Sequence, residues 1–226
     1  MKRLVLGLSA AIILAGCSTQ TTVRYTLTFN VTDSNVQDSL AFASQRVAER
    51  RLEHLNEQII SDTIDTSKKP FTLSITVPDK GAADELTKEL TAPFSLQVMA
   101  QTGTGETADI MVQGQGSFRK TGITEKDLTG VVSHKDADGK GEVALLLTPD
   151  GQAKMQDLFK QTVGRNIGIF VREGGSKDYQ LVSKLHVQTT VAPDNIVISN
   201  IPSSDLADVF ADDMNVGLHV TFTPVP

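Results

Sequence analysis

From Val23 to Val31, apolar side chains stand at alternate positions (Val23, Tyr25, Leu27, Phe29, Val31), the period of a strand with one buried face. The period then changes. Between Val36 and about Ile60, Leu40, Val47, Ala48, Leu52, Leu55 and Ile59 recur at helical spacing, while Glu49, Arg50, Glu53 and Glu57 fall mostly elsewhere. That pattern predicts a long amphipathic helix, with Asp33, Ser34 and Asn35 as available caps. A polar loop is expected over Ser61 to Lys69, then a second alternating strand over Phe71 to Val77, closed by Pro78. A short helix over Ala82 to Leu90 and a strand over Phe94 to Met99 follow. Gly103 to Gly116 has little pattern and reads as a loop or domain junction.

The second half is better marked. Ile123 to Leu128 reads as a helical turn, and strands over Val131 to Ser133 and Glu142 to Leu147 flank a hairpin turn at Asp138-Gly139. Thr148 is placed to cap a helix with Pro149 at its first position, and Met155, Leu158, Phe159 and Thr162 or Val163 form one face before Gly164 ends it. Strands are expected at Ile167 to Val171, Leu181 to Val187 and Ile196 to Ser199, the first two joined by a turn at Gly174 to Asp178. Ser203 or Ser204 caps a last helix carrying Leu206, Val209, Phe210 and Met214, and Leu218, Val220 and Phe222 alternate in a last strand. Runs of sheet crossed by isolated helices predict an α+β fold built of split βαβ layers.

The start of the chain follows different rules. Lys2 and Arg3 precede an apolar run from Leu4 to Leu14, and Ala15-Gly16 leads into Cys17, the one cysteine of the sequence. The run is about 11 residues, short of the roughly 20 that span a bilayer, so residues 1–16 read as a secretory signal peptide. Leu14-Ala15-Gly16-Cys17 resembles the lipobox of bacterial lipoproteins. The resemblance implies that Cys17 carries acyl chains as the first residue of the mature protein, with residues 17–22 as a polar tether. It also makes Ser18 a sorting residue. In Gram-negative bacteria an aspartate there commonly retains a lipoprotein at the inner membrane, so Ser18 points to the outer membrane, with the domain facing the periplasm.

Charge and composition narrow the function. Without Lys2 and Arg3, 19 of the 21 basic residues remain against 27 acidic ones, a net charge of −8. That disfavours nucleic acid as a partner, since phosphate contacts need a basic surface. A lone cysteine leaves no internal disulfide and no thiolate zinc site.

Motifs for chemistry are weak. Asp136-Ala-Asp138-Gly-Lys140-Gly141 starts like a calcium loop, but Lys140 and Leu147 stand where ligands are needed, and a hairpin turn is the simpler reading. Gly103-Thr-Gly105-Glu-Thr-Ala108 and Gly114-Gln-Gly116-Ser-Phe-Arg119 approximate dinucleotide fingerprints in polar sequence and read as loops. His54, His134, His186 and His219 are isolated, although His186 and His219, both in expected strands, could meet across a sheet. Arg46, Arg50 and Arg51 read as a solvated helix face with Glu49 and Glu53 as local partners, and Asp205, Asp208, Asp212 and Asp213 as the solvated face of the last helix. No nucleophile, base and orienter stand together. The expectation is a non-enzymatic protein with no cofactor, metal or small-molecule substrate.

One larger resemblance runs through the chain. TGITEKDLTG from Thr121, then GEVALLLTPDGQAKMQDLF, VGRNIGIFVREGG and a later strand, Ser-Asn and helix are similar in order to the periplasmic region of the protein-export membrane protein SecD. QRVAERRL and LSITVPDKGAADELTKELTAPFSLQV extend the similarity backwards. Ser183-Lys184-Leu185 departs from the family, which has a proline after its late apolar strand. SecD also continues into six membrane helices, whereas this sequence reaches Pro226 without an apolar segment of spanning length. The resemblance implies a ferredoxin-like base with an inserted, ferredoxin-like head. It places the first part of the base at residues 23–117, the head at 118–190 and a completing strand-helix-strand at 191–226. It also implies a protein partner among exported polypeptides or the export machinery. The alternative is a structural or regulatory subunit of a fixed envelope assembly with no role in export.

Overall fold

The computed structural model describes residues 20–172, 176 and 178–226. Among these residues are four α-helices and twelve strands, the strands in three antiparallel sheets, an α+β architecture. In the first sheet β1 (Thr21–Phe29) lies between β12 (Val220–Val225) and β3 (Phe71–Val77), with β2 (Ser61–Asp65) at the edge beyond β3. Together with α1 (Ser34–His54) and α2 (Lys80–Thr91), these strands form a βαββαβ unit whose spatial order is last, first, third, second. This is the split βαβ plan. Its last strand arrives only after a long insertion.

Alternation accounts for the buried face of this layer. Tyr25 and Leu27 of β1 and Phe71, Leu73, Ile75 and Val77 of β3 turn the same way and pack on Ala41, Val47, Ala48 and Leu52 of α1 and Ala82, Ala83 and Leu86 of α2. The Asp33 carboxylate caps α1 by accepting from the Asn35 and Val36 N–H groups, and Asp79 caps α2 through Ala82.

The insertion carries the other two sheets. One has the order β10-β9-β4-β6-β5: β10 (Gln180–His186), β9 (Asn166–Arg172), β4 (Ser95–Gln101), β6 (Gly116–Thr124) and β5 (Ile110–Val112). The other has the order β11-β8-β7: β11 (Asn195–Ile201), β8 (Gly141–Leu147) and β7 (Leu128–Lys135). Helix α3 (Pro149–Thr162) and helix α4 (Ser204–His219) close one continuous core with both sheets, from Leu96 and Val98 through Leu145 and Met155 to Met214. The far face of the five-stranded sheet buries Met99, Phe118 and Phe170, the last two edge to face at 5.1 Å. Helix α4 belongs to both cores, with Met214 in the inserted part and Val216 against the first sheet.

Several sequence expectations are corrected here. Ser61–Asp65 is an edge strand rather than loop, because its backbone pairs with β3 and Ile64 packs on the first core although its other side chains are polar. Gly103 to Gly116 contains β5 and the start of β6, a hairpin whose Phe118 supplies buried mass. The helical turn expected at Ile123 to Leu128 shrinks to a 3-10 turn, Glu125–Asp127. Helix α1 stops at His54, and Leu218 is the penultimate residue of α4 rather than part of the last strand. Strand β4, expected with the base, is a central strand of the inserted sheet, and position 117/118 falls inside β6. The turn expected at Gly174 to Asp178 lies largely outside the described residues, as do Cys17 and Ser18.

Candidate docking groove

Helix α4 presents Asn215 and His219, one turn apart, to the backbone of β7. The Val131 N–H donates to Asn215 Oδ1 at 2.8 Å and Asn215 Nδ2 donates to the Val131 carbonyl at 2.7 Å, so one side-chain amide pairs with the strand as a neighbouring peptide would. Gly130, at φ +159°, lies beside both side chains. The His219 ring meets Asn30 Oδ1 through Nδ1 at 2.7 Å, and Asn30 Nδ2 donates to the Leu218 carbonyl at 2.9 Å, tying β1 to the end of α4. Burial holds the His219 imidazole below the usual histidine range, opposed by a hydrogen bond with the Thr129 backbone.

These contacts line one wall of an open groove of about 530 Å³. Val36, Leu40 and Ala43 of α1 form the facing wall, with Val131, Val132 and Leu146 contributed by the three-stranded sheet. Val36 and Val132 remain 43% and 38% exposed, and Val197 on β11, in the same row of the sheet as Val132 and Ala144, is 46% exposed. The apolar lining therefore continues along that row of the sheet, through buried Ala144 to half-exposed Val197.

Strand β7 is the edge of its sheet. The Asp136 N–H closes the hairpin onto the Lys140 carbonyl, whereas the Val131 N–H points away from β8 to Asn215. With a period of two, the backbone groups of Ser133 and Lys135 point outward as those of Val131 do. Strand β7 has its own register shift between Leu128 and Gly130 and ends on Lys135, and pairs with β8 without further shifts from Gly130 onward; the other edges are more fully blunted. Strand β5 has three residues, β12 carries Pro224, β2 carries Asp62 and Asp65, and β10 and β11 have register irregularities. Short strands, proline, charge and bulges are what discourage edge pairing.

One rim of the groove is ionic. Arg46 grips Asp212 with two bonds, Nε to Oδ2 at 2.8 Å and Nη2 to Oδ1 at 2.9 Å, and Arg50 Nη2 donates to Asp213 Oδ1 at 2.7 Å. This corrects the expectation that the arginines pair within α1 and that Asp212 and Asp213 are merely solvated. The helices pack together, and the charges clamp α1 to α4. Sequence spacing held no signal for it, because the partners are more than 160 positions apart. His186 and His219 do not meet: His186 ends β10 and contacts Asn166 Oδ1 at 3.2 Å in the five-stranded sheet, whereas His219 ends α4.

The remaining motifs resolve as turns. Asp136 Oδ1 accepts from the Asp138 and Lys140 N–H groups, making the calcium-like stretch a hairpin loop with Gly139 at φ +82°. The Gly103-Thr-Gly105 loop is pinned by a Glu106–Arg165 ion pair at 2.8 Å, and Gly114 and Gly116 turn the β5–β6 hairpin. Among the described residues no group of three or more His, Cys, Asp or Glu side chains is placed to hold a metal ion, and no helix is long and apolar enough to cross a membrane.

Comparison with known proteins gives three results. Residues 1–18 match the model of a prokaryotic membrane lipoprotein lipid attachment site. No curated protein sequence matches the chain. Among solved structures, SecDF from Thermus thermophilus, described as a translocon-associated membrane protein, aligns with a TM-score of 0.50 and 16% identity over 92% of this chain. SecDF in a super-membrane-facing form aligns at 0.48 and 16% over 92%, and a SecDF described as a membrane component that enhances protein export at 0.46 and 14% over 90%. The chain spans 30% of the first two SecDF chains and 99% of the third. The fold is that of the matched part of SecDF, as the SecD-like order of motifs implies.

Proposed function

We propose that the protein is a non-enzymatic lipoprotein of the cell envelope, anchored by acyl chains on Cys17 and facing the periplasm, whose base-plus-inserted-head domain binds an extended segment of another protein. The attachment-site match supports the anchor, and Ser18 after the cysteine favours the outer membrane. The observation that carries the binding role is β7, a regular and uncapped edge beyond Val131 beside an apolar groove. A strand added there would gain main-chain hydrogen bonds from Ser133 and Lys135 and lodge alternate side chains against Val36 and Val132. The fold shared with a translocon-associated protein directs the choice of partner to exported polypeptides or the export machinery.

A photo-crosslinking residue at Val132 in intact cells tests this, with the exposed Thr63 on edge strand β2 of the first sheet as the control. Crosslinks from Val132 to many newly exported chains, absent from Thr63, are the expected result. A single stoichiometric envelope partner would favour a structural or regulatory subunit. Equal labelling from the two positions would contradict a role for the groove.

A further inference from the structure

The attachment site and the first described strand are very close in the chain. Cys17 is four residues from Thr21, where β1 begins. Four fully extended residues span at most about 14 Å. An acyl-anchored Cys17 therefore confines the Thr21 end of the first sheet to the immediate neighbourhood of the headgroups.

The same end of the sheet gathers three other segments. Val77 lies opposite Thr21, the Ile60 N–H donates to the Thr76 carbonyl at 2.9 Å, and Thr22 and Thr76 share a hydroxyl contact at 2.9 Å. Val225 lies opposite Arg24 on the other side of β1. Ile60 and Val225 are 41% and 44% exposed there, two apolar side chains on an end that is otherwise polar. Asp79 and Lys80 follow closely on Val77 in the chain and Lys80 is paired with Asp84, so this stretch carries both signs of charge and forms no cationic patch for anionic lipid. Adhesion must come from the acyl chains, and the end can only rest on the surface.

We propose that this end, with Ile60 and Val225 foremost, is the membrane-facing surface of the protein, so that the α1–β7 groove opens away from the bilayer. Strand β1 has nine residues, and eight steps of roughly 3.3 Å carry the chain about 26 Å from the surface end. Val31 and Asn35 of the groove come just after its far end. Helix α1 then returns toward the lipid, which puts its Val36 end, the groove end, farthest out. The anchor thus presents β7 to polypeptide in the periplasm.

The inference rests on acylation of Cys17, and the test separates the two. Ile60→Cys, Val225→Cys and Val36→Cys forms of the full chain are purified from membranes, labelled with a fluorophore and reconstituted in phosphatidylethanolamine–phosphatidylglycerol vesicles containing a nitroxide-headgroup lipid. Intact mass reports the acyl groups. Strong quenching at positions 60 and 225 and weak quenching at 36 is the expected result, little changed by added salt. Acylated protein quenched equally at all three positions, or most at 36, overturns the orientation alone. A mature mass without acyl groups overturns the anchor and the orientation with it.

Discussion

Asn215 is the residue on which the groove turns. Its amide satisfies both backbone groups of Val131 on a strand that has no further neighbour at that position. Asn215→Ala should leave that N–H and carbonyl without their partner and cost about 1–3 kcal/mol, read from urea unfolding. His219, one turn on, has a pKa lowered chiefly by burial. A histidine whose folded pKa is depressed binds its proton less readily when folded, so its contribution is full above the unfolded pKa of about 6.5 and is lost as pH falls through the folded value. Stability should therefore drop on acidification below about 6.5, and His219→Asn should flatten that part of the profile. An equally steep profile in the variant would assign the drop to other groups. Neither residue was legible as part of a site. Asn215 carried no motif, and His219 was expected in a strand because Leu218, Val220 and Phe222 alternate across what is a helix end followed by a strand.

At the scale of elements, α4 joins the two cores, and it can do so only because β8 begins with glycine. A Cβ at Gly141 would stand 2.4 Å from the Ser203 carbonyl oxygen and 2.6 Å from Ala207 Cβ. Gly141→Ala should push the start of α4 off the three-stranded sheet and destabilise the fold by about 1–3 kcal/mol, measured by thermal or urea unfolding. The elements that were legible share a strong local signal. Phe71–Val77 alternates cleanly, and Thr148-Pro149 marks the start of α3 as cap and first helical position. The elements that were missed lack one. Strand β2 has a single apolar residue, Ile64, and β6 is broken by Gly122 and a register shift opposite Val98 and Met99, so its pairing is decided by neighbours distant in sequence. The Arg46–Asp212 and Arg50–Asp213 pairs are of the same kind, visible only once α1 and α4 are packed.

At the scale of the molecule, a βαββαβ layer interrupted before its last strand carries a two-sheet insertion, and the groove lies where the two meet. The order of motifs made this architecture legible as SecD-like, although β4 proved to belong to the inserted sheet. The groove was not legible, since α1, β7 and α4 contribute to it from widely separated stretches. The central claim is that β7 accepts a strand. Residue-resolved amide hydrogen exchange with and without an extended peptide of alternating apolar and polar residues tests it most directly. The account predicts slowed exchange at Ser133 and Lys135, with the edge amides of β2 unchanged. Unchanged exchange along β7 under saturating peptide, or protection appearing at β2 instead, would contradict it.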